Sequence, residues 1–117
     1  MRFVISLILS STLISTLTFT AQAEINVVAS VKPVHSLVSG VMEGVRKPDL
    51  IVKGAASPHT YSLKPSQAKQ LEEADLVFWM GHELESFLEK PLEAITSKAK
   101  VIELIDSPGL KKLDMRE

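Results

Sequence analysis

Four short apolar runs along the chain alternate with stretches in which apolar residues recur at helical spacing. The runs lie at 25–31, 49–53, 76–80 and 100–104. The first is short, rich in β-branched residues and free of charge, which is typical of a buried strand, and the other three are also strand candidates. The third run places five large apolar residues in succession, as expected for a central strand covered on both faces.

Helical periodicity is clearest after the first run. From Pro33, the apolar residues Val34, Leu37, Val38, Val41 and Met42 fall on one side of a helix. This spacing predicts a helix with one apolar face, and Gly44 is expected to close that helix.

Two further helices are predicted between the later runs. Ser66 is expected to cap a helix over 67–74. Another follows Gly81, with Glu83, Glu85 and Glu89 on its solvated side and Pro91 restarting or kinking it. The resulting order, β-α-β-α-β-α-β with short connections, predicts an α/β fold: a parallel sheet with right-handed crossovers and helices on both faces.

Residues 1–23 have the composition of a secretory signal peptide. Arg2 precedes an apolar segment over 3–19, and Ala21-Gln22-Ala23 fits the small-residue rule for cleavage, so the mature chain is expected to span 24–117. A membrane anchor is the alternative, but six hydroxyl side chains and a short length argue against it. The localisation predicted is the periplasm.

Charge and cysteine content limit the available chemistry. The chain has no cysteine and a formal net charge of −1. Nucleic acid and anionic membranes are therefore unexpected partners, because the chain has no excess of basic residues with which to bind them. Any metal site must use imidazole and oxygen ligands.

The three histidines all follow predicted strands. His35 comes after the first, His59 after the second and His82 after the third. Ligands of open α/β sheets bind beyond the carboxyl ends of the strands. One hypothesis is that the three imidazoles converge on Zn²⁺; the other is that each has a separate local role.

His59 is the strongest single candidate for a metal ligand. It lies in the loop 54–66, where glycine, proline and serine favour turns, and such loops often display functional residues. Tyr61 is interpreted as a packing residue that fixes this loop. No glycine-rich phosphate loop, serine nucleophile elbow or thiol is present, and the glutamates after Gly81 are interpreted as a solvated face.

Three segments together resemble a known family. They are Ala29-Ser30-Val31-Lys32-Pro33, the Gly-Ala-x-x-Pro-His-x-Tyr-x-Leu-x-Pro-Ser pattern over 54–66, and 74–81 with Glu85-Ser86-Phe87-Leu88 after it. These residues resemble the periplasmic zinc-binding proteins of high-affinity zinc uptake ABC transporters. The pattern is long and falls in a strand-loop-helix context.

The resemblance implies a protein of two α/β lobes joined by a long helix, with the metal held between them. Family members use three histidines and often a carboxylate. Only His59 matches one of those positions; His35 and His82 match none, and Pro58 replaces the acidic residue that some members carry. The chain is thus expected to be a truncated form, an incomplete amino-terminal lobe whose other ligands would lie beyond Glu117.

The function implied is zinc capture in the periplasm and delivery, as a monomer, to a membrane permease driven by a cytoplasmic ATPase. The chain is expected not to be an enzyme. Three alternatives stay open: an inert truncated product, a manganese-binding relative, and an exported zinc hydrolase that uses His59.

Overall fold

The computed structural model describes residues 24–95 and 97–113. It contains four strands, four α-helices and three single 3-10 turns in the described residues. The strands are β1 (Val27–Ala29), β2 (Asp49–Leu50), β3 (Leu76–Trp79) and β4 (Lys100–Glu103); the α-helices are α1 (Lys32–Val41), α2 (Pro65–Glu72), α3 (His82–Glu85) and α4 (Glu89–Ile95); the 3-10 turns are Pro58–Thr60, Ser86–Leu88 and Leu104–Asp106.

The sheet is parallel throughout, with strand order β2-β1-β3-β4. The chain passes from β1 to β2 at the edge of the sheet. It then returns to form β3 on the other side of β1. Right-handed connections that reverse direction in this way place α1 on one face and α2 on the other. The predicted fold class is confirmed, and the third apolar run forms an inner strand between β1 and β4.

The core lies on both sides of β1 and β3. Val28 and Val77 are fully buried, as are Leu71 of α2 and Leu88 of the turn before α4. The second predicted strand is only two residues long, but its pairing continues: Ile51 N donates to Ala29 O at 3.1 Å and Val52 N donates to Ser30 O at 2.8 Å. The loop that carries His59 therefore begins just after residues whose backbone is hydrogen-bonded to the end of β1.

Only part of the predicted apolar face of α1 is buried. Val34 and Val38 are buried, but Leu37 is 69% exposed and Val41 is 88% exposed. Helix α1 packs on β1 and β2, so only its narrow i, i+4 strip meets the sheet. Leu37 and Val41 instead border a groove of about 420 Å³ that Phe78 also lines.

Replacing Leu37 by glutamine should leave the free energy of unfolding within about 0.5 kcal/mol of the parent value, because the side chain is already in water. Val34→Ala on the same helix should cost about 2 kcal/mol, because it removes buried methyl groups. Urea unfolding followed by circular dichroism measures both. A loss of 2 kcal/mol in Leu37→Gln would show that this side of α1 is buried after all.

The boundaries of two helices also differ from the prediction. Helix α2 begins at Pro65 with Lys64 as its N-cap, not Ser66, because proline fits the first helical position and the Gln67 side chain accepts a hydrogen bond from Lys64 N at 2.9 Å. The stretch after Gly81 is broken into α3, a 3-10 turn and α4. Pro91 is tolerated in the first turn of α4, where its missing N–H is not needed.

The described helices are all ten residues or shorter. None of them has the length and apolar character needed to cross a membrane.

Candidate metal-binding turn

A crevice lies at the edge of the sheet where the parallel strands end. It has a volume of about 270 Å³ and is lined by residues that follow β1, β2 and β3: Val31, Lys32, Pro33, Val52, Gly54, Ala56, Pro58 and Leu84. The loops that follow the three strands meet here because the strands are parallel. The crevice is the position at which a ligand of such a sheet is expected.

His59 stands at the rim of this crevice. It is the middle residue of the Pro58–Thr60 turn, and Pro58 directly before it lines the crevice. The His59 side chain is exposed. An exposed imidazole beside a crevice is free to bind a metal ion in its neutral form.

Tyr61 and Gln67 attach the His59 turn to the sheet. The Tyr61 ring lies 5.1 Å from the Phe87 ring, centroid to centroid, and its hydroxyl accepts a hydrogen bond from Gln67 Nε2 at 2.8 Å. Gln67 Nε2 also donates to Ile51 O at 2.7 Å. The interpretation of Tyr61 as the residue that fixes the loop is confirmed.

Gln67 is a residue whose role the sequence analysis missed. It is only 6% exposed, although it is polar and lies in the first turn of a surface helix. Its amide bonds to Ile51, before the loop, and to Lys64, near the end of the loop. A glutamine three residues after a helix N-cap is a recognised capping signal, and that signal was the available clue.

The structure does not bring His35 or His82 to His59. His35 Nε2 donates to Pro48 O at 2.9 Å, and its other nitrogen faces Ser39 Oγ at 3.5 Å. His82 Nδ1 lies 3.0 Å from Glu89 Oε2 at the surface. Over residues 24–95 and 97–113, no group of three histidine or carboxylate side chains could hold a metal ion. The hypothesis of a three-histidine site is therefore wrong for the described residues, and separate local roles fit His35 and His82.

Glu85 also differs from the prediction for the stretch after Gly81. It was expected to face water, but it is completely buried. The helix it ends is only four residues long, so the stretch does not keep one solvated face. Glu85 Oε2 accepts a hydrogen bond from Met80 N at 2.6 Å, which closes the turn between β3 and α3.

The burial of Glu85 affects the pKa of its carboxyl. Burial raises the pKa of the Glu85 carboxyl, and the nearby Ser30 hydroxyl and the N–H groups of Met80 and Gly81 offset part of this rise. Glu85 Oε1 and Ser30 Oγ are both buried, and neither makes a hydrogen bond of ordinary geometry within the described part of the chain.

The fold and the turn together define a class of protein. It is an α/β protein with a parallel sheet that displays a histidine beyond the carboxyl ends of its strands. The family model described as "Zinc-uptake complex component A periplasmic", ZnuA, matches residues 27–116. The chain belongs to the ZnuA family.

Individual relatives agree with this assignment. The High-affinity zinc uptake system protein ZnuA of Brucella abortus (strain 2308) is 55% identical over 91 residues, covering 78% of this chain and 27% of that protein. The protein of the same description from Haemophilus influenzae is 43% identical over 91 residues, again 78% and 27%. This chain therefore spans less than a third of the length of these relatives.

Solved structures share the fold at low sequence identity. A Mn-bound periplasmic metal binding protein from candidatus liberibacter asiaticus superposes with a TM-score of 0.66 and 20% identity, covering 79% of this chain and 34% of that chain. The Zn(II)-bound ZnuA-like domain of Streptococcus pneumoniae AdcA gives a TM-score of 0.65 and 21% identity, with 74% and 34% covered.

Proposed function

We propose that this chain is a zinc-binding component of a periplasmic zinc uptake system and that His59 is one of its zinc ligands. The observation that carries the proposal is the position of His59: an exposed imidazole on an anchored turn, at the crevice where the parallel strands end. Neutral imidazole is a preferred ligand of Zn²⁺.

The relatives support zinc as the cargo. The proteins from Brucella and Haemophilus are described as high-affinity zinc uptake proteins, and the AdcA domain was solved with Zn(II) bound. A binding component of this kind captures the ion and performs no reaction on it. The chain therefore acts as a binding protein and not as an enzyme.

A closed zinc site needs more than His59. Structural zinc ions take four ligands, and within residues 24–95 and 97–113 no group of three histidine or carboxylate side chains could hold a metal ion. The remaining ligands would come from groups outside those residues. Within this proposal, residues 24–117 form part of an amino-terminal lobe, and residues 1–23 are a signal peptide that directs the chain to the periplasm.

Delivery is the second half of the proposed function. The zinc-loaded protein would pass its ion, as a monomer, to the membrane permease of an ABC transporter that a cytoplasmic ATPase drives. Support comes from the family itself, whose description is a component of a zinc-uptake complex.

A zinc titration of the exported full chain tests the role of His59. The imidazole NMR signals of His59 should shift at lower zinc concentration than those of His35 and His82, because its ring has neither of their partners. His59→Ala should weaken zinc binding at least about tenfold. Manganese should bind more weakly than zinc, as expected for an imidazole ligand.

His82→Ala is the matched control, because it removes a second exposed histidine without touching the crevice. It should leave zinc binding unchanged. Equal shifts of all three histidines, or undiminished binding by His59→Ala, would contradict the proposed role. The mass of the exported chain, measured on the same sample, shows whether it begins at Glu24.

A further inference from the structure

Ser30 ties together the ends of three strands. It directly follows β1, and its backbone N donates to Phe78 O of β3 at 3.0 Å, while its O accepts from Val52 N after β2 at 2.8 Å. The Ser30 side chain is completely buried and lies beside the Glu85 carboxyl. The two polar side chains therefore meet where the central strands β1 and β3 end.

Glu85 fixes the start of α3 from both sides. Its carboxylate oxygen Oε2 accepts from Met80 N at 2.6 Å, and its own backbone N donates to Gly81 O at 3.0 Å. A helix of four residues has little stability of its own. Its position is consequently set by these contacts and by packing.

The His59 turn rests on α3 and on the turn that follows it. The Pro58–Thr60 turn packs against α3 and against Ser86–Leu88. Leu84, next to Glu85, lines the same crevice as Pro58, next to His59. A shift of α3 would therefore move the support of the imidazole.

We propose that Glu85, together with Ser30, is the positioning residue of the metal-binding turn: it holds α3 in place, and α3 holds His59 at the crevice. The metal-binding part of this inference rests on the proposed function of His59. Glu85 itself is no metal ligand in this proposal, because its side chain is completely buried and its carboxyl already accepts the Met80 N–H.

Packing alone does not explain why a carboxyl group is found at position 85. A leucine would fill a similar volume without the desolvation that a buried carboxyl suffers. It could not accept the Met80 N–H, which would then be buried without a partner. The hydrogen bond to the strand end is what a carboxyl or an amide supplies here.

Two substitutions separate positioning from packing. Glu85→Ala removes the acceptor, and it should weaken zinc binding about tenfold and raise the amide exchange rates of His59, Thr60 and Tyr61 by a similar factor. Glu85→Gln keeps an oxygen acceptor for Met80 N, and it should restore both properties to within about twofold of the parent chain.

Leu92→Ala is the control for lost stability. Leu92 is 3% exposed and lies on α4, so its truncation destabilises the core without removing a contact of α3 to the strand end. In the folded protein, Leu92→Ala should leave zinc affinity and the exchange of the three amides unchanged once global unfolding is subtracted. If Leu92→Ala and Glu85→Ala behave alike, Glu85 is a packing residue and the proposal is wrong.

The remaining outcomes are equally decisive. If Glu85→Gln is as impaired as Glu85→Ala, the hydrogen bond is not what positions the turn, and the proposal fails. If Glu85→Ala does not fold, Ser30→Ala replaces it and should raise the same exchange rates about threefold; unchanged rates would overturn the inference. The exchange measurement needs no zinc, so it decides the role of Glu85 even if His59 proves not to bind metal.

Discussion

Gly81→Ala is expected to destabilise the folded chain by about 3 kcal/mol, a large part of the roughly 5–15 kcal/mol that holds a small domain together. Gly81 lies between β3 and α3 with φ 138° and ψ 170°, a region of backbone conformation that is essentially restricted to glycine. A Cβ there would lie 2.5 Å from Glu103 Oε1 and 2.9 Å from Ile105 Cγ2. The Glu103 side chain can move away from the added Cβ. The strain of the positive φ and the close contact with Ile105 cannot both be relieved.

Gly40→Ala is the matched control for this prediction. Gly40 lies inside α1, and a Cβ added there has open space around it. Alanine should stabilise this helix by about 0.5–1 kcal/mol. The measurement is chemical unfolding of the three chains under the same conditions. A Gly81→Ala chain as stable as its parent would mean that the turn between β3 and α3 does not adopt the described conformation.

Gln67→Ala should cost about 3 kcal/mol and release the loop that carries His59. The substitution removes the hydrogen bonds of the Gln67 amide to Ile51 O, Tyr61 and Lys64 N. Ile51 O keeps only the longer 3.5 Å hydrogen bond from the Tyr61 hydroxyl, and Lys64 N loses its side-chain partner. A lost hydrogen bond at a buried position costs about 1–3 kcal/mol. Faster cleavage of the 54–66 loop by a broad-specificity protease, together with urea unfolding, measures the two effects.

The control for Gln67 lies three residues further along the same helix. Gln70 is half-exposed, and Gln70→Ala should change the free energy of unfolding by less than about 0.5 kcal/mol. Gln67→Glu is a second test, because a carboxylate of the same shape cannot donate to Ile51 O and should be about as damaging as alanine. Intact loop protection in both Gln67 variants would show that Tyr61 alone anchors the turn.

The order of the elements was predictable because it depends on local patterns. The four apolar runs were long enough, and free enough of charge, to be recognised as strands. The alternation of strands and helices with short connections then leaves few alternatives to a parallel sheet. The prediction of β3 as an inner strand was correct, but the face that carries Leu76 and Phe78 is only half-buried.

The errors share a different cause. Helical periodicity gives the angle of a side chain around its helix, but not what lies opposite it. Leu37 and Val41 lie on the predicted apolar face of α1, but the structure leaves them exposed because α1 covers only β1 and β2. Glu85 was placed in water because it has a charge and lies among glutamates, and the structure buries it against Met80 N.

The candidate site was only partly predictable from the sequence. Turn-forming residues around His59 indicated a displayed imidazole, and the structure places it exposed at the crevice. The sequence could not tell which histidines were already bonded, because the Pro48 carbonyl that holds His35 lies 13 residues away along the chain. The position of each side chain relative to distant backbone groups is set by packing and not by spacing.

The sequence by itself determined the alternation of strands and helices, the loop that displays His59 and the membership of a family, because all three are written in residues close together along the chain. The tertiary structure decided which apolar side chains are covered, which histidines already have hydrogen-bond or ion-pair partners, and that the Glu85 carboxyl is buried. Those properties depend on contacts between β1, β3 and α3, whose residues are up to 58 positions apart and meet only when the sheet is formed.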